Sequence, residues 1–388
     1  MNDSSKTMLQ KVEDETEKLK RLAHLLHEAG SATVFRCLQC IALTRRRAHH
    51  SSICLLFKLP GWADPEKSPL TLGNALERSS PSLTTRFSLA KALVSAVYQL
   101  HSASWMHRKI SSGKILFFSR LYGSPESTTA ALGAYDYRNP YLDGLKHSRA
   151  TNFNSMRSGS TMSDQRLFLD FLRDIHRHPS YMLNKSLWEE PHRYHRFRHE
   201  YYSLGLVLLE IGLWLPLRDL DVAKTPEWHT LMESLETNVT GANVSTPGAG
   251  PLERLFMGTT RKQLEILPYD LRYGPSKWEA FVGSQAGSSD FSRRFIEALE
   301  TAILDERMTC QSWQAVLSWE FRYPFHLFRQ LAISCAERDL AATMGEKYQK
   351  LVLRCLKSDF GVQFDADESA WLHAFNWHAV REIEQCCV

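Results

Sequence analysis

The run Leu204 to Leu217, LGLVLLEIGLWLPL, constrains this chain more than any other stretch. It is apolar on every side, so as a helix it has to be surrounded by protein. It falls short of the ~20 residues that cross a bilayer, and Glu210 interrupts it. A buried helix over residues 201–214, at the centre of the main domain, is therefore expected, and no membrane span. Surrounding such a helix takes a sizeable core, and a hydrophobic fraction of 43% against 23% charged residues supplies one.

Around this centre the sequence is mainly helical, with strands near the front. Residues 11–29 place Leu19, Leu22, Ala23 and Leu26 at helical spacing, and Gly30 ends the pattern. Two short apolar stretches follow, Thr33 to Leu43 and Ile53 to Leu59, joined by the basic connection Arg45 to His50. They read as an antiparallel hairpin stopped by Pro60 and Gly61. A helix over residues 83–102 puts Phe87, Ala90, Val94, Val97 and His101 on one face. Residues 119–165 read as irregular, residues 164–176 as a helix, and residues 237–251 as a surface loop. Further helices are expected around 291–304, 311–334, 339–357 and 367–385.

A net charge of +4 over 388 residues gives no concentrated basic face, so nucleic acid is not expected as a partner. The first twenty residues are polar and show no signal-peptide pattern, and the eight cysteines are scattered. A cytoplasmic chain with reduced thiols is the expectation. Cys37 and Cys40 form a lone CxxC without a second pair, so core cysteines on a strand are expected rather than a zinc site. His192, His195 and His199 lack a carboxylate or thiol at matching spacing, and read as a solvated basic segment. No metal and no cofactor is expected.

The stretch Trp105 to Phe118, WMHRKISSGKILFF, runs from an apolar approach through a polar loop into an apolar strand. It resembles the catalytic loop of a protein kinase, His-Arg-Asp followed by Asn and an apolar strand. The segment EYYSLG (200–205), opening the apolar run, is similar to the start of the kinase large-lobe central helix. Together with HRHP (176–179), it resembles a group of fungal kinase-like domains. These often follow prion-inhibition or HeLo-type domains in incompatibility and innate-immunity proteins. The order of elements follows the same family over roughly residues 11–360.

The resemblance implies an α+β, protein kinase-like fold. A truncated N-terminal lobe would occupy residues 1–60, and a helical C-terminal lobe with a helical extension residues 61–388. It also implies which positions should carry chemistry, and the residue types there are wrong for it. Phosphoryl transfer needs ATP positioned, charge neutralised and a substrate proton accepted. The catalytic Asp position, after His107 and Arg108, holds Lys109, an ammonium with three donors and no acceptor. The Asn position holds Lys114, where Mg²⁺ would need an oxygen. In the Asp-Phe-Gly counterpart the metal ligand is either Asp143 or, one register on, Gly144. No glycine precedes Gly30, so no Gly-rich loop exists before it, and neither Lys11 nor Lys18 lies on a strand.

Structural positions of the family are kept: His107, Leu116 in the strand Ile115 to Phe117, Gly205, and Glu200 in place of an Asp that accepts hydrogen bonds from the loop. The expectation is a catalytically degenerate domain, a pseudokinase with no catalytic residues and only a remnant at Asp143. It would work through protein partners in signalling, with ATP binding not expected. The alternative is an atypical kinase or ATP-binding protein that retains weak phosphoryl transfer through Asp143. Lys109 and Lys114, with Arg108 nearby, could line an anion cleft; two solvent-facing lysines on a loop are the expectation.

Overall fold

The computed structural model describes residues 16–17, 19–28, 33–46, 52–121, 135–145, 149–150, 174–179, 196–221, 224, 323–363 and 366–386. Residues 164–173 of the helix expected at 164–176, residues 311–322 of that expected at 311–334, the whole of 291–304 and the loop at 237–251 lie outside these residues, as do His192, His195 and most of the irregular stretch 119–165.

The chain is α+β. Helix α1 covers residues 19–28, and its Leu22 and Leu26 are buried. A short 3₁₀ turn, Thr33–Phe35, separates it from the antiparallel strands β1 (Cys40–Arg46) and β2 (Ser52–Phe57). The hairpin expected from the sequence is present, but its first strand starts later. Thr33 to Gln39 is not strand, and the basic residues Arg45 and Arg46 lie inside β1 rather than in the connection. Pairing fixes this register: Leu43 faces Leu55, while a bulge between Cys40 and Ala42 lets Ile41 turn outward. Cys37 consequently sits before the strand; it is buried all the same, and burial pushes its thiol up to about 12.

Strands β3 (Leu70–Thr71), β5 (Ile115–Phe117) and β6 (Tyr141–Leu142) form a small antiparallel sheet in the order β3-β5-β6. Strands β4 (Trp105–Met106) and β7 (Arg149–Ala150) form a separate antiparallel pair. At two or three residues each, these strands are too short to leave a period in the sequence. The one-turn helix α2 (Leu72–Ala75) starts on Thr71, whose hydroxyl accepts the Asn74 N–H at 3.2 Å. Helix α3 (Leu83–Ser102) starts on Ser82, whose hydroxyl accepts the Thr85 N–H at 3.3 Å.

The apolar run forms α4, Phe197–Leu213, four residues earlier at its start than the pattern predicts. Every residue from Phe197 to Gly212 is buried. This corrects the reading of His199 as solvated: it lies in the first buried turn, where its Nδ1 accepts the Arg196 N–H at 3.1 Å. Around α4 pack α3, α5 (Tyr323–Met344), α6 (Glu346–Lys357) and α7 (Glu368–Phe375). Helix α7 continues through a π-helical turn, Asn376–Val380, into α8 (Arg381–Glu384). The break expected near residues 334–339 falls instead at Gly345, which alone between α5 and α6 adopts the φ of +81° that glycine tolerates.

Two glycines let α4 come close to its neighbours. A Cβ at Gly205 would lie 2.7 Å from Cys355 Cβ, and one at Gly212 would lie 2.5 Å from Leu340 Cδ2. The approach leaves the Tyr348 hydroxyl within 2.7 Å of the Leu208 carbonyl, to which it donates. Among the described residues no helix is long and apolar enough to cross a membrane, and Cys37, Cys40, Cys54, Cys335 and Cys355 are free thiols.

Candidate functional site

The loop from His107 to Lys114 connects β4 to β5 and lies over one side of α4. Its entry is set by a buried carboxylate. Glu200 Oε2 accepts the His107 N–H at 3.1 Å, and Glu200 Oε1 accepts the Arg108 N–H in a short bond. Glu200 Oε2 also receives the ring Nε2–H of His101 at 2.8 Å. Both side chains of that pair are essentially inaccessible. The His101 ring is stacked on Phe197 at 3.9 Å, and its Nδ1 faces the Tyr201 hydroxyl at 3.3 Å. A carboxylate so buried is tolerable because each oxygen meets a donor.

These bonds hold the backbone in an uncommon state. Arg108 has φ +65°, which costs a non-glycine residue roughly 1–2 kcal/mol. Two amides ending on one carboxylate fix that turn. His107 is driven fully inward. Burial lowers its pKa, against the opposing pull of Glu200 and of the Asp143 main chain. The imidazole is therefore neutral near neutral pH. The Lys109 N–H donates back to His107 Nδ1 at 3.3 Å, and the Lys109 side chain is partly exposed.

The exit of the loop rests on a second buried carboxylate, which sequence reading passed over. Glu210 Oε1 accepts the Ser112 hydroxyl at 3.2 Å and the Leu217 N–H at 3.1 Å. Its other oxygen takes the ring Nε2–H of His176 at 2.9 Å. His176 opens the HRHP segment, so that segment is tied to α4 by a hydrogen bond as well as shaped as a turn. The available signal was Glu210 itself: a carboxylate inside an apolar run has to find partners. Which partners could not be read, because they lie 34 and 98 residues away.

Beyond the loop, Ile115 and Phe117 turn into the core while Leu116 is half-buried and pairs with Thr71 and Tyr141. The adjoining strand β6 delivers Asp143 beside Lys114. The Asp143 N–H donates to the Lys114 carbonyl at 2.8 Å, and Lys114 Nζ stands 3.3 Å from Asp143 Oδ2. Gly144 follows with φ +88°, and the Lys114 aliphatic chain lies across it: a Cβ there would fall 2.8 Å from Lys114 Cδ. Lys114 is thus not simply solvent-facing, as its sequence context suggested; its side chain is 27% exposed and its charge is engaged.

The resemblance implies a Mg²⁺–nucleotide complex at this place, and the donor set does not fit one. Mg²⁺ demands oxygen ligands in near-octahedral array. Asp143 offers one carboxylate, already facing an ammonium, and the two other positions expected to contribute oxygen or accept a proton are Lys109 and Lys114. Among the described residues no group of three or more His, Cys, Asp or Glu is placed to hold a metal ion.

A shallow groove of about 850 Å³ lies elsewhere, between the Phe360–Val362 loop and the Ser369–His378 face of α7 and its π-helical turn. Trp377, 54% exposed, forms part of its wall.

No protein-family model matches the chain, and no curated protein sequence matches it. Among solved structures, the crystal structure of a kinase domain aligns over 84% of this chain and 83% of its own. The identity is 14% and the TM-score 0.34, too loose an overlay to bear on fold or activity.

Proposed function

We propose that the chain is a kinase-like domain without phosphoryl-transfer chemistry, acting as an interaction module in signalling or regulation. One observation carries the reading. The loop His107–Lys114 is anchored at both ends by buried carboxylates of the central helix, yet its chemical positions hold cations. Lys109 replaces a proton acceptor, and Lys114 neutralises Asp143 at 3.3 Å. The scaffold is held in detail while the functions of general base and metal ligand are unfilled.

In this reading residues 1–60 are a shortened small lobe and residues 61–388 the large lobe with its helical extension. The segments HRHP and EYYSLGLVLLEIGLW are what support a place in fungal incompatibility or innate-immunity signalling through protein partners. Thermal unfolding with and without millimolar Mg–ATP tests the loss of chemistry. A ligand at 100 times its Kd stabilises the native state by about 2.7 kcal/mol, which is several degrees in Tm. No shift is expected. A saturable shift, together with phosphate transfer from ATP that vanishes in Asp143→Ala, would establish the atypical-kinase alternative, which the partly exposed Asp143 carboxylate favours.

A further inference from the structure

We infer that Lys114 is a tethered cation that occupies the ligand position at Asp143 and closes it to divalent metal ions. The inference rests on the kinase-like reading above and sharpens it: a specific seat in the fold, rather than the mere loss of an oxygen, excludes the metal.

Three observations build that seat. The Lys114 ammonium is 3.3 Å from Asp143 Oδ2. The two residues are also joined through the main chain, the Asp143 N–H to the Lys114 carbonyl at 2.8 Å, so the pair is brought together by β5–β6 pairing and not by chance contact of two long side chains. Gly144 provides the channel in which the lysine stem lies, since any side chain there would meet Lys114 Cδ at 2.8 Å and Cε at 3.2 Å. Gly144 also sits at φ +88°, a conformation that L side chains rarely adopt. The glycine is thereby needed twice, for its turn and for its emptiness.

The chemistry follows from charge. A monocation beside the carboxylate repels an incoming dication. At about 4 Å in water that repulsion corresponds to roughly thirtyfold in affinity. Asparagine at the same position would remove the charge and offer a carbonyl oxygen, which Mg²⁺ and Mn²⁺ accept.

The test titrates Mn²⁺ alone into the full chain and follows free Mn²⁺ by electron paramagnetic resonance. The unaltered protein is expected to leave the signal undiminished. Lys114→Asn and Lys114→Gln, each checked for folding by circular dichroism, are expected to bind about thirtyfold more tightly. Asp143→Asn in either background is expected to abolish the gain. The inference is overturned if the unaltered protein binds Mn²⁺ as well as the variants do, or if neither variant gains binding, or if the gain survives loss of Asp143. Phosphate transfer by the unaltered protein would instead overturn the functional reading, whatever the Mn²⁺ titration gives.

Discussion

Replacing Glu200 by glutamine tests whether one carboxylate sets the whole loop. The change keeps size and shape. It removes the charge and turns one oxygen, with its acceptor lone pairs, into an NH₂ donor. In the fold the two oxygens receive three donors: His101 Nε2–H at 2.8 Å, and the N–H groups of His107 and Arg108. Whichever way the amide is turned, at least one N–H then faces another N–H. If Oε1 is kept as the carbonyl, the Arg108 amide stays satisfied while the His107 amide and the His101 ring N–H lose their acceptor. The opposite orientation frees the Arg108 amide and with it the turn at φ +65°. Hydrogen bonds to a charged acceptor contribute about 1.5–3 kcal/mol each, and breaking a buried pair costs about 3–5 kcal/mol. Glu200→Gln should therefore lower stability by about 3 kcal/mol. Glu200→Asp keeps the charge but shortens the reach by one methylene, and should cost about 1–2 kcal/mol through one weakened bond. Urea unfolding gives these differences, and amide hydrogen exchange locates them at His107 and Arg108. A cost below about 1 kcal/mol for glutamine, with unchanged exchange at both amides, would refute the argument that this carboxylate fixes the loop.

Other consequences are as direct. Gly205→Ala should destabilise by about 1–3 kcal/mol, because the new methyl meets Cys355 Cβ and the Leu356 main chain; Gly212→Ala should cost less, since the Leu340 tip can turn aside. Melting temperatures of the two variants give the order. Burial lowers the His107 pKa below its unfolded value, so the unfolded chain binds the proton more readily. The stability this ring contributes is full above about pH 6.5 and is lost as pH falls below it. His107→Phe should flatten that part of the stability profile. Alkylation by iodoacetamide at neutral pH should reach Cys54 well before Cys37, whose buried thiol is pushed up to about 12.

Part of this architecture was open to reading from the residues alone. Helix α3 announces itself through a continuous apolar face, and its range, Leu83–Ser102, is the one the periodicity predicts. The apolar run had to be buried because it is apolar on every side, and at 14 residues it is too long for an ordinary strand. Its start was misplaced because Phe197 to Glu200 carry Arg and His, polar in composition yet buried through long-range partners such as Glu368, which accepts the Phe197 N–H at 3.0 Å. The break at Gly345 was missed for the opposite reason. Residues 334–339 look polar enough for a loop, but one exposed face suffices to keep them helical in α5. At the site, the cations Lys109 and Lys114 were visible in the sequence. The pairings of Glu200 with His101, Glu210 with His176 and Lys114 with Asp143 were not, because each joins residues 29 to 99 apart.

The manner in which Glu200 grips the loop sets how the molecule tolerates change. Its carboxylate holds the main-chain N–H groups of His107 and Arg108, not their side chains. Any residue but proline presents such an N–H. Apart from the buried His107 ring, the side chains of the turn can therefore change, one substitution at a time, without undoing the frame that displays them. A fold fastened in this way can change the chemistry of its loop surface and remain the same shape throughout.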